Sequence, residues 1–502
     1  MSSALAKDRS VVVLGLDGLS LRDLEILAER GLMPFTRHIL ARSFRNSPSV
    51  LVPYTAPSWT SVATGVNPGK HAIYDFVKPM PDGSLRMVRT WDVMHPRIHE
   101  ILALHGLPSI TSCVPFIYPP LPRRSYCVVL TGWTSPRPRT WPPGLEEEVK
   151  GVAGSGPPRA MTLDNYIEEV AENLEERLSL ELELADRYPW KLFFTMIPHT
   201  DWVFHHAYDR VLKGRARGAS RLFRTIDSFL RELVGLADGE PMIILVSDHG
   251  FSTVRRALNM NVALEKGGLL AVRPAGPSLK SLAFGLARGF FSAFPLLKHL
   301  VKYRAMVLAE GLGFKLGLAE QVASPVDYAR SKAFMIAAYY IYVNPGLPGA
   351  ARAEVARRVE ALLAGLASKT PFEFHRGPDF FKGPYSGLAP DFVVLPAKGL
   401  TFSVRLLSKS ILERGLWNVH DREGLASIYL PGEGGRPLPS LRELDVAPTA
   451  LYYLGLKLPH DLDGQVLPVL VEAEGREPAY RDYSTTYRGL RRLARRLSRA
   501  LT

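Results

Sequence analysis

Three apolar runs in this 502-residue chain end in acidic or imidazole side chains. Val11-Val12-Val13-Leu14-Gly15-Leu16 leads into Asp17-Gly18. Met242-Ile243-Ile244-Leu245-Val246 leads into Ser247-Asp248-His249-Gly250, and Leu192-Phe193-Phe194-Thr195-Met196-Ile197 into Pro198-His199-Thr200-Asp201. Continuous apolar runs rich in β-branched residues predict strands buried on both faces, as in a parallel sheet. Cys127-Val128-Val129-Leu130 predicts another. Leucines at helical spacing predict helices over 21–30, closed by Gly31, and over 163–185 and 222–236; an amphipathic pattern predicts one over 351–364. Strands alternating with helices make an α/β protein, and open α/β sheets hold ligands beyond the carboxyl ends of their strands. A single Asp-Gly pair there is no more than a turn. Several such ends carrying carboxylates and imidazoles predict a metal site.

Two spacings sharpen that expectation. Asp201 and His205 are four residues apart, so on a helix they share one face, a turn apart, as two ligands of one ion do. His206 points about 100° away by the same geometry and is read as structural. His199 stays open between the two roles. Asp248 and His249 are adjacent and meet one ion only where the strand gives way to a turn, which Gly250 permits. Thr55 precedes Ala56-Pro57 and a helical stretch running from Trp59 to Ala63. Proline suits the first turn of a helix and threonine suits its cap. Thr55 is therefore expected at a helix N-terminus, where free N–H groups and the dipole favour a phosphate or an ionised alkoxide. A plain capping threonine is the alternative. His420 is expected in a loop entering a strand at 427–430. Asp445 is expected to cap the helix that opens at Val446-Ala447-Pro448.

The composition, 46% hydrophobic and 22% charged, is that of an ordinary globular chain. A formal net charge of +13 favours an anionic partner: a phosphate compound, nucleic acid or an acidic membrane surface. Part of the excess lies in Arg488-Gly489-Leu490-Arg491-Arg492-Leu493-Ala494-Arg495-Arg496-Leu497-Ser498-Arg499, read as a solvated terminal helix, with nucleic-acid or membrane contact as the sharper alternative. Cys113 and Cys127 form neither a metal site nor a disulfide framework. No apolar leader precedes the first strand, which predicts a cytoplasmic protein. The most apolar stretch, 281–303, contains Arg288 and Lys298 and is not read as a transmembrane helix. Strand signals vanish over 267–325, which reads as an inserted helical cap, either scaffold or a lid over the substrate. The expected organisation is a discontinuous catalytic domain (1–266 and 326–470), the cap (267–325) and a basic tail (471–502).

Asp17, Asp201 and Asp248 with His205, His249 and His420 make a mixed oxygen and nitrogen set, suited to Zn²⁺ or Mn²⁺ rather than to Mg²⁺ or Ca²⁺. Six ligands are enough for two divalent ions. Two ions roughly 4 Å apart can hold the attacking and leaving oxygens of a displacement at phosphorus. Such a site also lowers the pKa of a hydroxyl, which makes Thr55 a candidate nucleophile.

Taken together and in this order, the motifs resemble the alkaline phosphatase superfamily, and within it the type I phosphodiesterase and nucleotide pyrophosphatase branch. The marks are Leu16-Asp17-Gly18, Thr55-Ala56-Pro57 running to Asn67-Pro68-Gly69-Lys70-His71, Thr200-Asp201 with His205, Ser247-Asp248-His249-Gly250, His420, Asp445-Val446-Ala447-Pro448-Thr449 and Asp461-Leu462-Asp463-Gly464. The resemblance implies a three-layer α/β/α sandwich around a mostly parallel sheet, with two metal ions, usually zinc. Asp201, His205 and His420 would hold one ion; Asp17, Asp248, His249 and the Thr55 oxygen would hold the other. Thr55 would attack phosphorus and become phosphorylated, and water would then release the phosphate. His71 is read as structural. Ser58 stands three residues after the nucleophile, where such pyrophosphatases commonly carry an asparagine that steadies a phosphate oxygen; a serine reaches less far. The expected activity is cleavage of phosphate diesters or nucleotide pyrophosphate bonds. The alternatives are a phosphomonoesterase or phosphotransferase on the same core, or a non-catalytic binder of nucleic acid or acidic lipid. The Cys/Ser-x-Pro-x-Arg pattern of sulfatases is absent.

Overall fold

The computed structural model describes residues 9–500 except 122–126, 136–138, 150–156, 159–161, 274–324 and 407–408. The apolar runs form an eight-stranded sheet in the order Phe44–Asn46, Leu425–Tyr429, Met242–Ser247, Val11–Leu16, Leu192–Ile197, Ser109–Ser112, Cys127–Leu130, Thr140–Trp141. The five strands from Met242–Ser247 to Cys127–Leu130 run parallel. Leu425–Tyr429 and the two edge strands are antiparallel to their neighbours.

Side chains alternate across a strand, so each central run divides its apolar residues between two cores. Val12, Leu14 and Leu16 pack on one side with residues of the helices Leu21–Glu29, Leu163–Arg187 and Ala219–Gly235. Val11 and Val13 pack on the other with Trp59, Ile98 and Ala450, from the helices Thr55–Thr64, Ile98–Leu104 and Val446–Tyr453. The result is the expected three-layer α/β/α sandwich. Parallel register aligns the strand ends: Leu16 lies beside Ile197, and Gly15 beside Val246. Residues just beyond those positions therefore converge on one edge of the sheet.

Two smaller sheets adjoin this edge. Gly250–Asn259 pairs with Leu400–Ser403 on one side and with Leu412–Asp421 on the other. A second sheet, ordered Ala333–Met335, Tyr340–Val343, Phe392–Pro396, Phe372–Arg376, has its own core, to which Val359 and Leu363 of the helix Gly349–Ala367 contribute. The apolar stretch at 335–343 is thus two strands. They are separated by a turn in which Tyr339 takes φ 86°.

The basic C-terminal segment is a packed element: the helix Ser484–Ala500 buries Tyr487 and Ala494 against Leu121. The cap expected over 267–325 lies outside the described residues except for 267–273 and 325. Both cysteines are free and buried. Among the described residues no helix is long and apolar enough to cross a membrane.

Candidate metal centre

Six of the sequence-predicted ligands meet at the sheet edge in two groups, Asp201/His205/His420 and Asp17/Asp248/His249. Within each group the ligand atoms lie within 4.8 Å of one another. Asp17 follows its strand directly, and Gly18 turns the chain away with φ 73°, a conformation that glycine adopts without strain. Asp248 and His249 occupy the two-residue break between Met242–Ser247 and Gly250–Asn259. Gly250 is needed there for space rather than for an unusual φ: a Cβ would stand 2.3 Å from the Glu423 carbonyl oxygen. Asp201 and His205 lie on the helix His199–Leu212 at the expected spacing.

His420 departs from expectation. It sits within the strand Leu412–Asp421, opposite Phe251, not in a loop. The strand lacks clean apolar alternation because it is an edge strand with much of its length exposed. Its pairing with Gly250–Asn259 carries His420 back over the site.

The ligand atoms stand close together. His420 Nε2 lies 3.2 Å from Asp201 Oδ1 and 3.1 Å from His205 Nε2. His205 Nε2 is 3.4 Å from Asp201 Oδ1. In the other group His249 Nε2 is 3.3 Å from Asp248 Oδ2 and 3.5 Å from Asp17 Oδ1. The two groups adjoin, since the His249 and His420 rings stack with centroids 3.7 Å apart. Backbone carbonyls set both tautomers. His420 Nδ1 is 3.0 Å from the Pro53 oxygen and His249 Nδ1 is 3.1 Å from the Gly250 oxygen. Each Nδ1–H donates to its carbonyl, which leaves the Nε2 lone pair facing the site.

The electrostatics ask for positive charge. Asp17, Asp248 and His249 are buried, and among the described residues Asp17 Oδ1, Asp201 Oδ1 and Asp248 Oδ2 have no hydrogen-bond partner. Burial, and then the charges of Asp248 and Asp201, push the Asp17 carboxyl well above the usual range. Burial pushes Asp248 up to about 7. Burial works against Asp201 too, but His205 and His420 outweigh it and hold that carboxyl below the ordinary value. Carboxylates this close and this dry are disfavoured as free anions, and a proton or a cation relieves them. The donor set, three carboxylates and three imidazoles with orphaned oxygens, fits divalent ions of the Zn²⁺ or Mn²⁺ kind.

Thr55 is the first residue of the helix Thr55–Thr64. The cap position falls to Tyr54, and no side chain caps the helix. Thr55 is thus not a plain cap. Its Oγ1 lies 3.4 Å from His249 Nε2, beside the Asp17 group. Ser58, one turn on, donates its hydroxyl to the Val52 carbonyl at 2.9 Å. That bond uses its only proton, so Ser58 in this conformation has none to give a phosphate oxygen.

Other expectations resolve structurally. His199 is buried with Nε2 3.0 Å from Asn173 Oδ1, and the exposed His206 ring packs on Tyr166. His71 is buried and holds Ser61 and the Ile73 amide. Asp445 stands at the expected cap position of the helix that follows it, but its side chain makes no capping bond there. Its carboxylate accepts from the Arg442 and Gln465 amides instead, because the preceding residues form a 3₁₀ turn. Sequence reasoning missed two supporting hydroxyls. Thr200 Oγ1 donates to the Asp17 carbonyl at 2.6 Å, and Ser247 Oγ donates to the His249 carbonyl at 2.6 Å. Their adjacency to Asp201 and Asp248 is the only signal the sequence offers for them.

Several solved structures share this fold. Phosphonoacetate hydrolase from Sinorhizobium meliloti 1021, solved with phosphonoacetate, is 14% identical, with a TM-score of 0.53 over 89% of this chain and 95% of that one. An inactive variant of murine ectonucleotide pyrophosphatase / phosphodiesterase 5, solved with AMP, is 10% identical, with a TM-score of 0.51 over 93% of this chain and 99% of that one. The alkaline phosphatase PafA is 12% identical, with a TM-score of 0.53 over 92% and 98%. No curated protein sequence matches the chain. The model of the type I phosphodiesterase / nucleotide pyrophosphatase family matches residues 11–405, which include every site residue named above except those from His420 onward. On that match the chain belongs to the type I phosphodiesterase / nucleotide pyrophosphatase family.

Proposed function

We propose that the protein is a metal-dependent phosphoesterase that cleaves phosphate diesters or nucleotide pyrophosphate bonds with Thr55 as nucleophile. The observation that carries this reading is the position of Thr55: first in its helix, uncapped, with Oγ1 3.4 Å from His249 Nε2. Asp201, His205 and His420 would hold one divalent ion, and Asp17, Asp248, His249 and the Thr55 oxygen a second. When bound, such ions lower the pKa of a coordinated hydroxyl and neutralise charge on a phosphate. The Thr55 oxygen then attacks phosphorus in line with the ester oxygen of the leaving group. One P–O bond forms and the other breaks; the leaving group departs as its oxyanion and takes a proton from water, and the phosphoryl group, still bearing its other substituent, stays on Thr55. Attack by water returns threonine and releases the phosphoryl product. The free amides of the first helical turn and its dipole favour the developing negative charge. A small anionic phosphate ester or nucleotide is the matching substrate, in keeping with the net positive charge.

The test is hydrolysis of bis-p-nitrophenyl phosphate beside p-nitrophenyl phosphate, with zinc, with manganese and with chelator. Chelator-sensitive cleavage that prefers the diester and is lost in Thr55→Ala is the expected result. Preference for the monoester would move the assignment to a phosphatase or phosphotransferase. Full activity in Thr55→Ala would remove the nucleophile assignment.

A further inference from the structure

The helix Ser484–Ala500 contains no Asp or Glu. Its inner side is occupied: Tyr487, Leu490 and Ala494 pack on Leu121 and Trp91. Arg488, Arg492, Arg495 and Arg496 are exposed on the other side, at spacings i, i+4, i+7 and i+8 that line up as one stripe. Arg491, outside the stripe and partly buried, ties the helix to a second cationic region on the body of the protein. Arg491 Nε and Nη2 donate to the Trp91 carbonyl at 2.8 and 2.6 Å. The next residue, Asp92, receives Arg86 through two bonds of 2.8 and 2.9 Å, with Lys78 Nζ at 3.7 Å. Lys78 is held below its ordinary value, by burial first and also by the positive charges of Arg86 and Arg491. Beside them the Arg89 guanidinium lies 5.3 Å from the ring centroid of Tyr118, which is partly exposed and whose carbonyl accepts from the Thr90 amide. Two carboxylates, exposed Asp82 and Asp92, thus stand among the cations of residues 78–92, and no acid lies on the helix.

We propose that this face, the outer side of the C-terminal helix with the Arg89/Tyr118 stack at its foot, binds single-stranded nucleic acid. Arginines at every helical turn match phosphates along a strand, and an aromatic ring among cations offers a surface on which bases stack. An acidic bilayer is the weaker match. Amphipathic helices hold membranes by inserting an apolar side; here Tyr487, Leu490 and Ala494 of that side pack against Leu121 and Trp91, and among the described residues a lone exposed Leu493 offers little to insert. The surface does not involve Thr55, so the proposal is independent of the phosphoesterase reading.

The experiment is fluorescence anisotropy of a labelled 20-nucleotide single strand with the full chain, titrated from 50 to 300 mM salt. It uses wild type and Thr55→Ala, so that cleavage does not consume the probe. Vesicles containing phosphatidylserine are run in parallel. Binding that weakens with salt, and about equal affinity for wild type and Thr55→Ala, are expected. The combined change Arg488→Gln, Arg492→Gln, Arg495→Gln should weaken it at least tenfold and lower the log–log salt slope by about 2, at roughly 0.7 per cation for single strands. Tyr118→Ala should weaken binding several-fold without changing that slope. Melting curves confirm that each variant is folded. No binding at 50 mM salt, equal binding by the folded triple variant, or capture by vesicles in preference to the oligonucleotide would each overturn the proposal.

Discussion

The Trp59 ring lies directly over Gly15: a Cβ on Gly15 would stand 2.4 Å from Trp59 Cη2 and 2.6 Å from Cζ3. Trp59 belongs to the helix that begins with Thr55, and Gly15 to the strand that ends one residue before Asp17. The contact therefore sets the distance between the candidate nucleophile and a candidate metal ligand. Trp59 is fully buried and cannot swing aside, so Gly15→Ala pushes the helix off the sheet. Overpacking of this kind costs about 1–3 kcal/mol. Thermal unfolding should show the loss, and turnover should fall more than stability alone explains. An unchanged melting temperature would contradict the contact.

The two ligand groups should empty independently. His205→Ala removes a ligand of the Asp201 group, and Asp248→Asn one of the Asp17 group. Each variant is expected to bind one zinc ion per chain where wild type binds two, and to lose at least about 100-fold in turnover. Chelator should also lower wild-type stability, by about 3 kcal/mol relative to metal at 100 times its Kd. Metal analysis of the purified variants decides the matter: two ions retained in either would strike that residue from the ligand set.

Thr200 has a supporting role that a separate variant isolates. Its buried hydroxyl donates to the Asp17 carbonyl at 2.6 Å, tying the start of one helix to the end of the neighbouring strand. Thr200→Val keeps the shape and deletes the bond. The expected destabilisation is about 1–3 kcal/mol. Zinc affinity at the Asp17 group should fall roughly 10–100-fold while the Asp201 group keeps its ion. Equal loss at both groups would mean general unfolding rather than positioning.

Glu443 should impose a pH dependence on stability. Its side chain is only 7% exposed. Burial pushes its carboxyl up from 4.5 to about 7. The folded state therefore keeps this proton over a range in which the unfolded chain has released it. The resulting stabilisation is full below about 4.5 and is lost as pH rises through 7. Glu443→Gln carries no such charge. The stability of the variant relative to wild type should thus rise by about 3 kcal/mol between pH 4 and 8, at 1.36 kcal/mol per pH unit. Parallel unfolding curves across that range would show that Glu443 does not titrate between them.

The sequence by itself determined the central strands, because runs such as Val11–Leu16 and Met242–Ser247 are apolar on both faces and fit only the interior of a parallel sheet. It also pointed to most of the candidate ligands, since Asp17 and Asp248 follow those runs directly and Asp201/His205 keep helical spacing within one element. Local signals of this kind survive folding unchanged. What only the tertiary structure decided involves residues distant in the chain. His420 joins the site through an antiparallel pairing with Gly250–Asn259, and the exposed edge strand that carries it has no apolar alternation to announce it. Asp445 has the composition of a helix cap, yet the 3₁₀ turn before it and the Gln465 amide claim its carboxylate. Ser58 lies in the right helix, but the Val52 carbonyl takes its proton. The arginine-rich terminus reads as a free amphipathic helix, and packing of Tyr487 and Ala494 against Leu121 and Trp91 covers one side and leaves the arginine stripe to solvent. In each case the deciding partner stands far off in sequence or in a turn the pattern does not reveal. Hydrogen bonding and burial, rather than residue type, assign the role.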